Sequence, residues 1–181
     1  MNVEIVPELR APVTLDTGAR TDLFIPPSGA PPTLNARPLL VETEGDFLLA
    51  ATVGAEHRAT FDAGALLLWR DETTWAKLAV ERAPDGRAMV VSVVTRGVSD
   101  DCNSVVLPEP SARLRVARIG EECAFHLRDG RRWELVRHFT LGPGPLAAGV
   151  LCQSPTGGGT TATFSEIDLE ARTLDDVRSG E

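Results

Sequence analysis

Tyrosine is absent from these 181 residues and aromatic residues make up only 5% of them. That leaves few flat apolar surfaces of the kind that stack on a sugar ring. Cysteine is scarce and odd in number. Cys102, Cys123 and Cys152 are widely spaced and form no C-x-x-C pair, so neither a disulfide framework nor a zinc knuckle is suggested, and a reducing cytoplasm fits best. The three thiols read as small buried hydrophobes. His57, His126 and His138 are dispersed, with no H-x-H or H-E-x-x-H spacing, so no metal and no cofactor is indicated and ordinary surface or turn histidines are expected. Basic residues number 18 against 26 acidic ones, a net charge of -8, which opposes nucleic acid or an anionic membrane as partner. No apolar run approaches the roughly 18 residues that span a bilayer. The segment 1–10 lacks a basic region followed by an apolar stretch, so no leader is expected.

What is present is a normal globular balance, 43% hydrophobic and 24% charged, in a length that suits one domain. From Pro38 onward, short segments rich in Val, Leu, Thr and Ala alternate with turn signals, and none holds a 3.6-residue apolar period for long. The pattern predicts an all-β sandwich or barrel. Strands 38–44 and 47–54 flank Gly45-Asp46, strands 74–82 and 87–96 flank Pro84-Asp85-Gly86, and strands 123–128 and 131–137 flank Asp129-Gly130, each pair reading as a hairpin. Further strands are expected at 63–70, 112–119, 146–153 and 160–170. Pro26, Pro27, Pro31 and Pro32 mark a long surface loop. The polar end, 174–181, reads as a frayed helical turn or a disordered tail.

Alternation places Trp75, Lys77, Ala79 and Glu81 on one face of a strand and Ala76, Leu78 and Val80 on the other. Strands 63–69 and 88–96 are apolar at their centres on both faces, as central strands of a covered sheet would be.

Several strings, in order, carry a family resemblance: Thr21-Asp22-Leu23-Phe24, Gly45-Asp46-Phe47, Phe61-Asp62-Ala63-Gly64-Ala65-Leu66, Trp75-Ala76-Lys77-Leu78-Ala79-Val80-Glu81 and Val94-Thr95-Arg96-Gly97-Val98-Ser99-Asp100. Over residues 21–169 the chain resembles the concanavalin A-like proteins grouped as a domain of unknown function, among them a fungal regulation-of-enolase protein. The resemblance implies a jelly-roll sandwich of two antiparallel sheets, related in plan to lectins and to accessory modules of glycosidases. It brings no assigned reaction. Where that family often has an aromatic after the Ser-Asp pair, this chain has Asp101.

Two constellations could carry chemistry. Glu166, Asp168 and Glu170 form an E-x-D-x-E string whose period-two spacing puts three carboxylates on one strand face, as catalysis in concanavalin A-like glycanases requires. Only 11 residues follow Glu170, so the string reads instead as the closing strand of the resembled fold.

The second gathers Asp22, Asp62, Trp75, Lys77, Glu81, Arg96, Ser99 and Asp100 as a polar, ligand-binding cleft on a concave sheet. Its Arg and carboxylates could hydrogen-bond the hydroxyls of a carbohydrate or small polar ligand. The same residues could equally form an internal salt-bridge network, such as Lys77 with Glu81 or Arg96 with Asp62, that pins strand register. Ser99-Asp100 lacks a base and a nucleophile elbow, Gly157-Gly158-Gly159 lacks the Lys-Ser/Thr of a phosphate loop, and no acidic spacing matches a calcium loop. The resulting expectation is a noncatalytic binding module. A cytosolic interaction or regulatory protein of carbohydrate metabolism, a glycoside hydrolase-like enzyme, and self-association through a sheet face stay open as alternatives.

Overall fold

The computed structural model describes residues 3–181. Met1 and Asn2, the start of the segment expected to carry no leader, lie outside the described residues. Among the described residues there is no helix. The strands are β1 (Glu4–Ile5), β2 (Val13–Gly18), β3 (Leu23–Phe24), β4 (Thr33–Leu34), β5 (Leu39–Glu42), β6 (Phe47–Ala55), β7 (Ala63–Asp71), β8 (Thr74–Arg82), β9 (Ala88–Arg96), β10 (Ser99–Leu107), β11 (Ser111–Ile119), β12 (Glu122–Asp129), β13 (Arg132–Thr140), β14 (Ala147–Gln153) and β15 (Gly159–Glu170). One sheet runs β1-β5-β14-β7-β8-β9-β10, the other runs β13-β12-β11-β6-β15-β2, and β3 pairs with β4. This is an all-β jelly-roll sandwich of two antiparallel sheets, with only the short β1–β5 pairing parallel among the described residues.

The alternation read from the sequence sets the layers. Ala76, Leu78 and Val80 of β8 face the space between the sheets, where they meet Leu66 and Leu68 of β7, Leu114 and Val116 of β11, Phe125 of β12 and Phe164 of β15. Each of the fully buried Leu, Val and Phe side chains contributes roughly 1.5–3 kcal/mol. The opposite face of β8 is covered as well. Trp75 and Ala79 pack with Leu23, Ala36, Leu67, Trp69, Val93 and Leu151, because the segment carrying β3 and β4 lies across the outside of the seven-stranded sheet. The proline-rich stretch is the link between those two strands and is tied down at Ile25, whose amide donates to Ser99 Oγ at 2.9 Å. A sheet buried on both sides explains why its central strands read as apolar throughout.

Four expectations are corrected. Gly45-Asp46 does not close a hairpin: β5 pairs with β1 and β14 while β6 pairs with β11 and β15, so the turn carries the chain from one sheet to the other. Gly45 has φ +60, which suits a turn that glycine makes without strain. The other two hairpins form, β8–β9 and β12–β13.

Residues 174–181 are neither frayed nor loose. Leu174 packs with Leu48, Ala117 and Ala124 on the outside of the six-stranded sheet. Farther along, the Gly180 carbonyl accepts from Arg115 Nη2 at 2.7 Å and the Val177 carbonyl lies 2.8 Å from His126 Nε2.

His126 is therefore fully buried and not a surface histidine. Burial holds its pKa down at about 4. Cys123 and Cys152 are buried as expected, and burial pushes their thiols up to about 11 and about 12, but Cys102 is exposed on β10.

Candidate functional site

A cleft of about 330 Å³ opens on the outer face of the seven-stranded sheet. Its floor follows from strand register. Lys77 of β8 stands opposite Val93 of β9, Glu81 opposite Met89, and Asp101 of β10 is opposite Val93 in turn. Lys77, Glu81, Met89, Val91, Val93, Asp101 and Asn103 consequently share one face, and Gln153 at the end of β14 joins them. Asp22 and Phe24, from the segment laid across the sheet, and Phe61 and Pro155 complete the lining.

Lys77 is the chain's only lysine and is 2% exposed. Its ammonium donates to Asp22 Oδ1 at 3.1 Å, to the Leu23 carbonyl at 2.8 Å and to Gln153 Oε1 at 2.7 Å. It also lies 5.6 Å from the centroid of the Trp75 ring. An ammonium has three N–H donors, and here all three are used inside the protein.

Glu81 is different. Among the described residues it makes no hydrogen bond and no ion pair. Burial pushes its carboxyl up to about 7, against the pull of Lys77 and with a further push from the carboxylates of Asp22 and Asp101. A carboxyl poised near neutrality in a cleft is a group available to something that enters.

Phe61 is unusual in two respects. It is 37% exposed and its φ is +68, a backbone state that bulky side chains rarely adopt. The turn that imposes this is firmly held. Phe61 N donates to the Arg82 carbonyl at 2.8 Å, the buried Asp62 carboxylate accepts from Ala59 N at 2.8 Å, and it accepts from Ser154 Oγ at 2.6 Å.

The structure brings Asp22, Lys77 and Glu81 together and separates the other expected residues from them. Trp75 is wholly buried beneath the covering segment. Asp62 anchors the Phe61 turn, and Ser99 hydrogen-bonds Thr95 and Ile25. Arg96 is opposite Thr74, at the far end of β8 from Glu81, and its guanidinium lies 3.5 Å from the Thr140 carbonyl. Asp100 alternates to the face opposite Asp101 and pairs with Arg137 at 3.0 Å, which clips β10 to β13. Of the internal pairs anticipated as examples, neither Lys77–Glu81 nor Arg96–Asp62 forms, while Asp100 is held by Arg137. Lys77 pairs with Asp22 instead.

Glu166, Asp168 and Glu170 lie on the six-stranded sheet, away from the cleft. A bulge between Ser165 and Asp168 breaks their common spacing, and Glu166, at φ +49, accepts from Thr52 Oγ1 at 2.6 Å. The string is a strand edge held in register, not a convergent carboxylate set.

Sequence reading missed Asp101, Gln153, Phe24 and Phe61 as cleft residues. Asp101 carried no sequence signal, because only its register opposite Val93 places it on the Lys77 face. A second cavity of about 460 Å³ is lined by Asp16, Thr17, Thr21 and Asn35. These polar groups already bond within the protein, Thr17 with Thr21, Thr161 with Asp16, and Asp22 N with Asn35.

A model of the family described as protein of unknown function (DUF1349) matches residues 5–172. The chain belongs to that family. Among solved structures, a functionally unknown protein from Saccharomyces cerevisiae is 28% identical and superposes with a TM-score of 0.82, covering 90% of this chain and 89% of that one. The GH43 protein BlXynB from Bacillus licheniformis is 14% identical with a TM-score of 0.67, over 88% of this chain and 32% of that chain. A legume lectin-like domain from Entamoeba histolytica is 9% identical with a TM-score of 0.53, over 73% of this chain and 76% of that one. The last two likenesses show the fold alone. No curated protein matches the sequence.

Proposed function

We propose that the chain is a noncatalytic binding protein that takes a carbohydrate, or another small polyhydroxylated molecule, in the cleft floored by Lys77 and Glu81. The observation that carries this reading is the unpartnered Glu81 carboxyl beside a strained, exposed Phe61. A hydroxyl-rich ring offers donors for the carboxylate and an apolar face for the phenyl group, and the cleft's volume suits a small ligand. Lys77, Asp22 and Gln153 hold the floor rigid, which reduces the ordering cost of binding.

The test is a titration of a neutral monosaccharide panel, followed by backbone amide NMR and by analysis of the recovered ligand. Binding is expected to shift the signals of Phe61, Val91 and Asn103 and to leave the sugar intact. Phe61→Ala and Glu81→Ala should each weaken binding at least about tenfold. Arg96→Ala, remote from the cleft, should leave it unchanged. Binding that survives both cleft substitutions would put the ligand elsewhere, and conversion of the sugar would replace binding with catalysis.

The competing reading, a cytosolic regulatory or interaction protein, draws on β10, an edge strand that exposes Val105 and Val106. Unpaired strand edges are sites where another chain can add. Nothing on that edge specifies a partner, whereas the cleft specifies hydrogen-bonding chemistry.

A further inference from the structure

We infer that the cleft selects ligands carrying a protonated amine, so that its preferred occupant is a free-amine amino sugar and not a neutral or acidic one. This rests on the reading of the cleft as a polyol site and adds the sign of its charge preference.

The charged groups facing the cleft come from three elements. The segment before β3 supplies Asp22, β8 supplies Lys77 and Glu81, and β10 supplies Asp101; β9 and β14 contribute only Met89, Val91, Val93 and Gln153. Three carboxylates face one ammonium, which leaves two net negative charges when all are ionised. The ammonium cannot serve an incoming anion, because its N–H groups already point at Asp22, Leu23 and Gln153.

The carboxylates are not equally engaged. Asp22 accepts from Lys77 and from Leu23 N at 2.7 Å. Among the described residues, Glu81 and Asp101 have neither hydrogen bond nor ion pair. Their oxygens are free of protein partners and open to donors on a ligand, whereas a uronate or a phosphate would bring more acceptors. An ammonium group brings three donors and a compensating charge, and the lining includes Phe24 and Phe61, whose rings are of the kind that attract cations. The hydroxyls of the same ligand can be met by Asn103, whose amide both donates and accepts.

The burial of Glu81 gives the preference a pH dependence. The protonated carboxyl attracts an ammonium poorly and the carboxylate attracts it well, so affinity rises as pH increases toward about 7, and the gain ends above neutrality, where a sugar amine loses its own proton. A bound ammonium in turn favours ionisation of Glu81, so binding releases a proton near neutrality.

The experiment titrates the intact protein with glucosamine, glucose, N-acetylglucosamine and glucuronate near neutral pH and again in mild acid, by calorimetry in two buffers of different ionisation enthalpy. Glucosamine is expected to bind at least about tenfold more tightly than glucose or N-acetylglucosamine near neutrality. Its advantage should shrink in mild acid, with glucuronate weakest throughout. In Glu81→Gln the glucosamine-to-glucose ratio is expected to fall below about twofold and the proton release to disappear. Equal affinity for glucosamine and glucose in the parent protein, or tighter binding of glucuronate, overturns the charge preference while leaving a polyol site in place. If none of the four sugars binds, the polyol reading falls and the amine preference falls with it.

Discussion

Lys77 stands alone among 18 basic residues, the other 17 being arginine, and its surroundings explain the exception. Three acceptors converge on one nitrogen from Asp22, Leu23 and Gln153, a geometry that a compact tetrahedral ammonium satisfies and a planar guanidinium does not. Lys77→Arg is therefore expected to destabilise the protein by about 2 kcal/mol or more although the charge is kept, because the larger head group must displace Leu23 or leave Asp22 without its partner. Urea unfolding checks this; a difference under about 0.5 kcal/mol would mean that the pocket adapts freely. At this scale the sequence was partly legible. Lys77 and Glu81 were visible through their string and their shared face. Asp101 was not, because Asp100 was read as the functional member of the pair and only the register with Val94 and Val93 shows which of the two faces the cleft.

At the scale of elements, the end of the chain is the clearest departure from expectation. Residues 174–181 are mostly polar, and composition alone points to a loose tail. They dock because the outer face of the six-stranded sheet offers an apolar patch for Leu174 and two buried polar side chains, Arg115 and His126, that need acceptors. His126 Nε2 faces a carbonyl, so it carries the proton and donates. Gly180 makes the approach feasible. At φ +72, a Cβ there would lie 2.4 Å from Arg115 Nη2 and 2.7 Å from Trp133 Cβ. Gly180→Val is expected to lift the segment at a cost of about 1–2 kcal/mol. NMR titration should then show the His126 pKa moving from about 4 back toward 6.5. An unmoved His126 would mean that the sheet alone buries it.

The strand β10 escaped pattern reading for the opposite reason. Its Asp-Asp-Cys-Asn-Ser stretch has no apolar alternation, because an edge strand exposed on both faces has no core side to mark. Gly45-Asp46 looked like a hairpin because turn chemistry is local, whereas the sheet each flanking strand joins depends on partners far along the chain.

For the whole molecule, two titrating groups, the half-buried Glu81 and the buried His126, act against each other. Glu81 has its pKa raised from 4.5 to about 7 in the folded state. As pH rises across that window the unfolded chain loses its proton first, so stability is greatest below 4.5 and falls by about 3 kcal/mol as the folded pKa is passed. His126 has its pKa lowered from 6.5 to about 4. As pH falls across that window the unfolded chain gains its proton first, so stability is full above 6.5 and about 3 kcal/mol is lost on the way down. Between pH 4.5 and 6.5 the two slopes oppose, and these two groups together should leave stability nearly flat. Glu81→Gln is expected to uncover the acid limb, giving stability that falls continuously as pH drops from 6.5, and to stabilise the protein above neutrality by about 2–3 kcal/mol. Thermal unfolding across pH reads both effects. A profile parallel to that of the parent would show Glu81 ionising normally.

By itself the sequence determined the all-β architecture, most strand positions and the face shared by Lys77 and Glu81, because alternation and turn chemistry act over a few residues. Only the tertiary structure decided that Asp22, Phe24 and Phe61 close around that face, that Arg96 and Asp100 lie away from it, and that Glu166, Asp168 and Glu170 belong to the other sheet. Those outcomes depend on which strands pair across long stretches of chain, on one bulge that shifts side-chain parity, and on a loop laid across a sheet whose second face had to be buried.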